Sequence, residues 1–201
     1  MPSYGLREFP NVLTKEECDL IIKYSKPLLK RCEVIDEDSK KGNELAEERT
    51  SSQTCLTFRN KKTKIGKVLH KIKEIISYVT ELPIENQETP IGLYYGVGQE
   101  YQPHYDDFAE GSKYLKNEQK FGGQRLSSIL IYLNDVEEGG ETWYPNLNLQ
   151  VKPETGKLLY HTNYSNGKRL ESGLHGSKPV IKGEKWALVC WIRERKWTPG
   201  D

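Results

Sequence analysis

Apolar residues recur at helical spacing in two early stretches, and beyond Pro90 the pattern changes to strand-like runs. In the first stretch Leu20, Ile21, Tyr24, Leu28 and Leu29 share one side of a helix. Thr14-Lys15-Glu16-Glu17 precedes it as a capping box, in which the Thr14 hydroxyl accepts the Glu17 amide and the Glu17 carboxylate reaches back. A second helix is predicted from about Lys62 to Tyr78, with Ile65, Val68, Leu69, Ile72, Ile75 and Ile76 as its stripe. Both stripes read as core. Ile91–Val97, Arg125–Leu133, Lys157–Thr162 and Lys185–Arg193 are short, rich in β-branched and aromatic residues, and punctuated by Gly and Pro. Helices followed by strands predict an α+β chain, its core an antiparallel sandwich or barrel with the helices packed outside the sheet. Segments 36–48 and 109–123 are polar, and each reads either as a solvated loop or as a flap over a substrate. No repeat, linker or low-complexity tract divides the chain, so one domain is expected across 1–201.

Composition narrows the class. A chain of 201 residues can bury a substantial core, yet only 35% of it is hydrophobic, which leaves much for surface and polar loops. Thirty basic against 29 acidic residues give a net charge of +1, which lends no support to a nucleic-acid or membrane-surface partner. No apolar run approaches the roughly 18 residues of a membrane helix. No charged-then-apolar leader opens the chain. The secretory pathway (the ER lumen) is the expected compartment if a targeting segment has been removed, the cytoplasm otherwise. A monomer is expected. The four cysteines lack Cys-x-x-Cys spacing, which argues against zinc. Cys32 and Cys55 fall in expected neighbouring strands and are the candidate disulfide pair; Cys18 and Cys190 remain open. Asn163-Tyr164-Ser165 is a glycosylation sequon, a motif short enough to recur by chance.

The chemistry concentrates at His104-Tyr105-Asp106, followed far along the chain by His175 and then Lys185. Two imidazoles and one carboxylate, with open positions left, form the ligand set of a non-haem Fe(II) oxygenase. On a strand, His104 and Asp106 would point to one side and Tyr105 to the other. Lys185 supplies a cation able to hold the far carboxylate of a 2-oxo acid, although spacing alone favours a surface lysine beside Glu184. His161, in the expected strand Leu158-Leu159-Tyr160-His161, competes with His175 as third ligand. His70, within the second helix, reads as a surface or packing residue.

Longer segments carry a family resemblance. Tyr95-Gly96-Val97-Gly98-Gln99-Glu100-Tyr101-Gln102-Pro103-His104-Tyr105-Asp106 resembles the metal-binding segment of prolyl 4-hydroxylases. So do Arg125 through Thr142 and the block His175-Gly176-Ser177-Lys178-Pro179-Val180-Ile181-Lys182-Gly183-Glu184-Lys185-Trp186. Phe9 to Cys18 is similar to that family's opening helix. The matches cover nearly the whole chain in order, and look most like the compact algal and viral single-domain enzymes. The resemblance implies a double-stranded β-helix, a jelly roll of cupin type.

Residue by residue, it implies that His104, Asp106 and His175 bind Fe(II). Lys185 would pair with the 5-carboxylate of 2-oxoglutarate, assisted by the hydroxyls of Tyr95 and Thr142. Trp191 lies on the face of Lys185 by a period of two and would line the cofactor pocket or the peptide groove. Tyr101 and Arg125 match peptide-contacting positions, the first able to pack on a proline ring and the second to bond a peptide carbonyl. Arg49-Thr50-Ser51-Ser52 resembles a segment beside the groove. Two residues depart from the pattern: Trp143 is bulkier than expected after Thr142, and Asp107 adds an acid beside Asp106.

The expected function is hydroxylation of peptidyl proline at C4 with Fe(II), 2-oxoglutarate and dioxygen, releasing succinate and CO2, with L-ascorbate as reductant and a proline-rich or collagen-like peptide as substrate. Two alternatives stand beside it. One is the same chemistry on another protein side chain; the other is a cupin-like peptide-binding module without catalysis. A zinc hydrolase is disfavoured, because no general base stands near the triad in sequence.

Overall fold

The computed structural model describes residues 5–31, 49–57 and 62–199. The strands in chain order are β1 (Leu6–Phe9), β2 (Lys30–Arg31), β3 (Ser52–Cys55), β4 (Ile91–Tyr95), β5 (Tyr101–His104), β6 (Arg125–Tyr132), β7 (Glu138–Gly139), β8 (Thr142–Tyr144), β9 (Leu149–Val151), β10 (Leu158–Thr162), β11 (Tyr164–Ser165), β12 (Lys168–Arg169), β13 (His175–Ser177), β14 (Val180–Lys182) and β15 (Lys185–Arg193). The helices are α1 (Lys15–Ser25), α2 (Lys64–Thr80) and α3 (Lys113–Glu118).

A seven-stranded antiparallel sheet runs β1-β10-β6-β15-β4-β3-β2, and a four-stranded one runs β5-β13-β8-β9. Packed face to face, they make the jelly roll anticipated from the sequence. All four long strands fall where the pattern put them, within a residue or two at their ends.

The large sheet buries both faces, and strand alternation sorts its residues between them. On β15, Trp186, Leu188, Cys190 and Ile192 join the cluster beneath the helices, with Ile129 and Ile131 of β6 and Leu158 of β10. The alternate residues face the small sheet. Leu93, Tyr95 and Val189 pack with Val136 and Val180, while Tyr132, Leu159 and Ala187 pack with Tyr144 and Val151.

Helix α1 begins with the expected reciprocal cap: the Glu17 amide donates to Thr14 Oγ1 at 3.3 Å, and the Thr14 amide to Glu17 Oε2 at 2.9 Å. Its buried face is rotated from the expected stripe. Cys18, Ile21 and Ser25 are buried, whereas Tyr24 and Leu28 are exposed. The cause lies in β4, where Gly92 has no side chain and Ser25 closes on it: a Cβ there would stand 3.1 Å from Ser25 Oγ. A small residue, not a tyrosine, must occupy that side of the helix. Pro27 then ends α1 in a single 3₁₀ turn. Helix α2 starts at a Thr63 cap and buries Val68, Leu69, Ile72, Ile76 and Val79. Lys71 bonds Glu17 at 2.7 Å and ties the two helices together.

Two further expectations change, and one lies outside the described residues. Segment 109–123 is not wholly loop: Ser112 caps α3, which Arg193 anchors through Glu118. The sequon Asn163 is buried, and its amide donates to Ser128 Oγ at 2.9 Å, so it offers no glycan acceptor in the folded chain. Cys55 is exposed at the end of β3, while Cys32 and segment 36–48 lie outside the described residues.

The packing of α2 on the sheet is testable. Ile72 is fully buried, so Ile72→Ala should cost about 2–5 kcal/mol in urea unfolding. Tyr78→Ala, at a side chain 85% exposed, should change stability by no more than about 0.5 kcal/mol. Equal effects at the two positions would contradict this helix orientation.

Candidate active site

Sheet pairing brings the distant histidines together. Strands β5 and β13 are antiparallel with His175 opposite His104, their rings 4.5 Å apart. Each ring is turned the same way: Nδ1 lies 2.9 Å from a backbone carbonyl, Gln102 O for His104 and Gly173 O for His175. A carbonyl accepts only, so each Nδ1 carries the proton and each Nε2 presents a lone pair to the centre.

Asp106 reaches the same centre by another route. The strand ends at His104, so Asp106 lies in the bend beyond it and not on a common strand face. It is aimed from the neighbouring sheet, where Ser128 Oγ donates to Asp106 Oδ2 at 2.6 Å and Asn163 holds Ser128. His104 Nε2 lies 3.5 Å from Asp106 Oδ1, and His175 Nε2 3.6 Å from Oδ2. The donor atoms of His104, Asp106 and His175 all lie within 4.8 Å of one another.

Electrostatics suits these groups to a cation. Burial alone would raise the Asp106 carboxyl, but the surrounding imidazoles of His175, His104 and His161 more than offset it and hold the acid well below the usual range. Burial, with His161 close by, pushes His175 down to about 3. At neutral pH the site therefore offers a carboxylate and an uncharged His175 imidazole, the forms that ligate metal. Two nitrogens and one oxygen, with room left for further ligands, fit Fe(II).

A cavity of about 380 Å³ opens beside this triad. Lys185 reaches into it from β15, 2% exposed. Among the described residues its hydrogen-bond partner is the Ser177 hydroxyl, 2.8 Å away. Burial lowers its pKa to about 7, with only Glu141 acting in opposition. A buried ammonium held by one hydroxyl calls for an anion. Tyr95 stands opposite Lys185 in the β4–β15 register, its ring 5.1 Å from Nζ. Thr142 Oγ1 accepts from Tyr132 at 2.7 Å and lines the same cavity, its own proton available to a ligand.

The remaining expected residues line this cavity as well, with partners the sequence did not disclose. Tyr101 stacks on His104, centroids 3.6 Å apart, and Arg49 lies over the tyrosine ring. Arg125 is gripped by Glu88, Nε to Oε1 at 2.7 Å and Nη2 to Oε2 at 3.0 Å, and sits 3.8 Å over the Trp191 ring. Glu88 also takes Arg193 at 3.0 Å, so one carboxylate serves two guanidinium groups. Nothing in the local sequence marks Glu88. Ser177 was more legible, two residues from His175 on a strand. His70 is a surface residue, 3.8 Å from Glu74 on the same helix.

Both departures from the family pattern find local causes. Asp107 is turned from the triad and binds Arg169 Nε at 2.9 Å; its neighbour Tyr105 donates to Glu171 at 2.6 Å. These bonds brace the bend carrying Asp106 from either side. Trp143 fits because Gly176 stands opposite, where a Cβ would come within 2.9 Å of the indole Nε1.

The chain is similar to proteins of known family. Residues 91–193 match the model of the 2OG-Fe(II) oxygenase superfamily. The chain is 36% identical over 209 residues to probable prolyl 4-hydroxylase 10 of Arabidopsis thaliana, covering 94% of this chain and 68% of that protein. It is also 36% identical over 204 residues to prolyl 4-hydroxylase 5 of the same plant, with 92% and 66% covered. In fold it is similar to the viral collagen prolyl hydroxylase of Paramecium Bursaria Chlorella virus-1 in its 2OG complex, with a TM-score of 0.71, 24% identity, and 95% and 97% of the two chains covered. A Trichoplax adhaerens prolyl hydroxylase bound to a hypoxia-inducible-factor peptide fragment superposes with a TM-score of 0.65 at 17% identity, covering 96% of this chain and 84% of that one. The protein belongs to the prolyl 4-hydroxylase family of the 2OG-Fe(II) oxygenase superfamily.

Proposed function

We propose that the protein hydroxylates proline at C4 in proline-rich or collagen-like peptides, acting as a monomer, with ascorbate restoring the metal after unproductive turnovers. The observation that carries this reading is the convergence of the His104–Asp106–His175 triad and the buried Lys185 on one cavity. When bound, Fe(II) and 2-oxoglutarate supply the oxidising power that turns a C–H bond and dioxygen into C–OH, with succinate and CO2 released.

The chain's own residues do the rest. His104, Asp106 and His175 would hold the metal beside the cavity. Lys185 fixes the distal carboxylate of the 2-oxo acid, with Tyr95 and Thr142 beside it. Ser177, already bonded to Lys185, keeps the ammonium aimed inward. Tyr101, Trp191 and Arg125 line the way in. Arg125 is pre-set by Glu88, so it meets a peptide without losing much side-chain freedom on binding. Arg49 and Tyr101 extend that wall and suit an extended polyproline II segment.

The test is succinate release with Fe(II) and 2-oxoglutarate, with and without a proline-rich peptide, with mass analysis of the peptide. Peptide-stimulated release with the mass of one oxygen added at proline is expected, and His175→Ala should bring it to background. Succinate without a modified proline would refute the substrate; no succinate from metal-loaded protein would refute the enzyme.

Lys185 sets a pH dependence for cosubstrate binding. Its ammonium loses the proton near pH 7 in the ligand-free protein, and an anion beside it raises that pKa. Below about pH 7 the cation is already present. Above it, binding must take up a proton, and affinity should weaken by up to about tenfold per pH unit. Calorimetric titration of 2-oxoglutarate into Mn(II)-loaded protein should show this proton uptake. Lys185→Arg, charged throughout, should give a flat profile; a flat profile in the wild type would contradict the assignment.

A further inference from the structure

We propose that His161 is a positioning residue of the metal centre, its Nε2–H directed at the Asp106 carboxylate by a hydrogen bond from Tyr144. The inference rests on the metal-site reading above and adds a residue to it.

His161 lies on β10 and is 3% exposed, on the inward face beside Leu159 and opposite Ser128 of β6. Its Nδ1 is 2.9 Å from the Tyr144 hydroxyl. Its Nε2 is buried and has no hydrogen-bond partner. That nitrogen faces Asp106, 3.8 Å from Oδ2, and the His161 ring is 4.4 Å from the His175 ring. A buried polar nitrogen without a partner is costly, and an aromatic ring would fill the same space without that cost. The imidazole therefore calls for a role, and the charged group it faces is the carboxylate of the triad.

The direction of the Tyr144 bond fixes the tautomer. Burial holds the Tyr144 hydroxyl far above its ordinary pKa, so the phenol keeps its proton. If it donates to Nδ1, the His161 proton sits on Nε2 and points at the carboxylate. The opposite arrangement would strand the phenol proton and set a lone pair against an anion. Asp106 Oδ2 already accepts from Ser128 at 2.6 Å. With His161 added, the carboxylate is oriented from β6 and β10 together, independently of β5 and β13, the strands that bear the histidine ligands. His161 itself stands outside the group of donor atoms that lie within 4.8 Å of one another, so it acts through Asp106 and not as a ligand.

The test is Mn(II) affinity, read from the electron paramagnetic resonance of free Mn(II) in protein lacking cosubstrate and peptide. His161→Phe should weaken Mn(II) binding by about tenfold or more, the usual range for groups that orient a metal ligand. His161→Gln, which keeps an N–H donor, should recover most of it. Tyr144→Phe leaves His161 in place but releases its tautomer, and should weaken binding several-fold; it decides the matter if His161→Phe does not fold. Once Mn(II) is saturating, the Kd for 2-oxoglutarate should be unchanged in each folded variant. Wild-type Mn(II) affinity in folded His161→Phe, or in Tyr144→Phe, would overturn the proposal. Loss in His161→Gln as deep as in His161→Phe would overturn it too, by making His161 a ligand or a mere space-filler. His175→Ala separates this outcome from failure of the metal site: if that variant still binds Mn(II) at wild-type strength, the triad itself is misassigned.

Discussion

A strand has only two sides, and β15 must satisfy a different environment on each. Trp186, Leu188, Cys190 and Ile192 meet the helices, while Lys185, Ala187, Val189 and Trp191 face the small sheet and its cavity. No single-residue slip is tolerated, because it would drive Lys185 into the helix-packed core and Trp186 into the cavity. The apolar core under α1 and α2 thus sets the register of the cofactor pocket. Stability and chemistry share one strand, and the rigidity of the first is inherited by the second.

Within that frame the polar interior is ordered by charge. Each buried charged group near the cavity is held by short bonds to named partners: Asp106 by Ser128, Asp107 by Arg169, and Arg125 and Arg193 by Glu88. Low dielectric strengthens these pairs and makes any unpaired member expensive. Among these cations Lys185 is the exception in kind, because its partner is a hydroxyl and not a carboxylate. Its depressed pKa reflects that difference. The contrast sets Lys185 and Asp106, each bonded to a hydroxyl beside the cavity, apart from the ion pairs that Glu88 makes with Arg125 and Arg193 and that Asp107 makes with Arg169.

How much of this was legible in the sequence follows from range. Local patterns gave α1, its cap, α2 and the four long strands, because periodicity and capping act within a few residues. The triad and Lys185 were readable because residue types of a rare kind stood in an ordered series matching a family. The small sheet was not readable: its strands are only three or four residues long, too short for an alternation to emerge. Asp106 was placed on a strand because His-x-Asp fits a pleat, but the pairing that ends β5 at His104 comes from a segment far along the chain. The buried face of α1 turned on Gly92, a residue remote from the helix, and Asn163 looked like a sequon because burial cannot be seen in three letters. His161 was seen as a rival ligand; only the tertiary register with Ser128 separates a ligand from a neighbour.

The alternation on β15 also sets the dimensions of the reaction chamber. From the fully buried Lys185 to the half-buried Trp191, the inward residues are separated by two small ones, Ala187 and Val189. Two residues along a strand advance roughly 6–7 Å, so the span between the anion anchor and the indole is about 20 Å. The shorter side chains in the middle leave the cavity its volume, and the large ones at the ends close it. A bulkier residue at Ala187 would crowd the Tyr132–Tyr144 cluster in which it is packed as well as the cavity, while the helix-packed face on the other side of the strand carries Trp186 and Leu188. Both faces of β15 are therefore core over most of its length, and the cavity is left where the inward side chains are short, between a buried lysine at one end and an indole at the other.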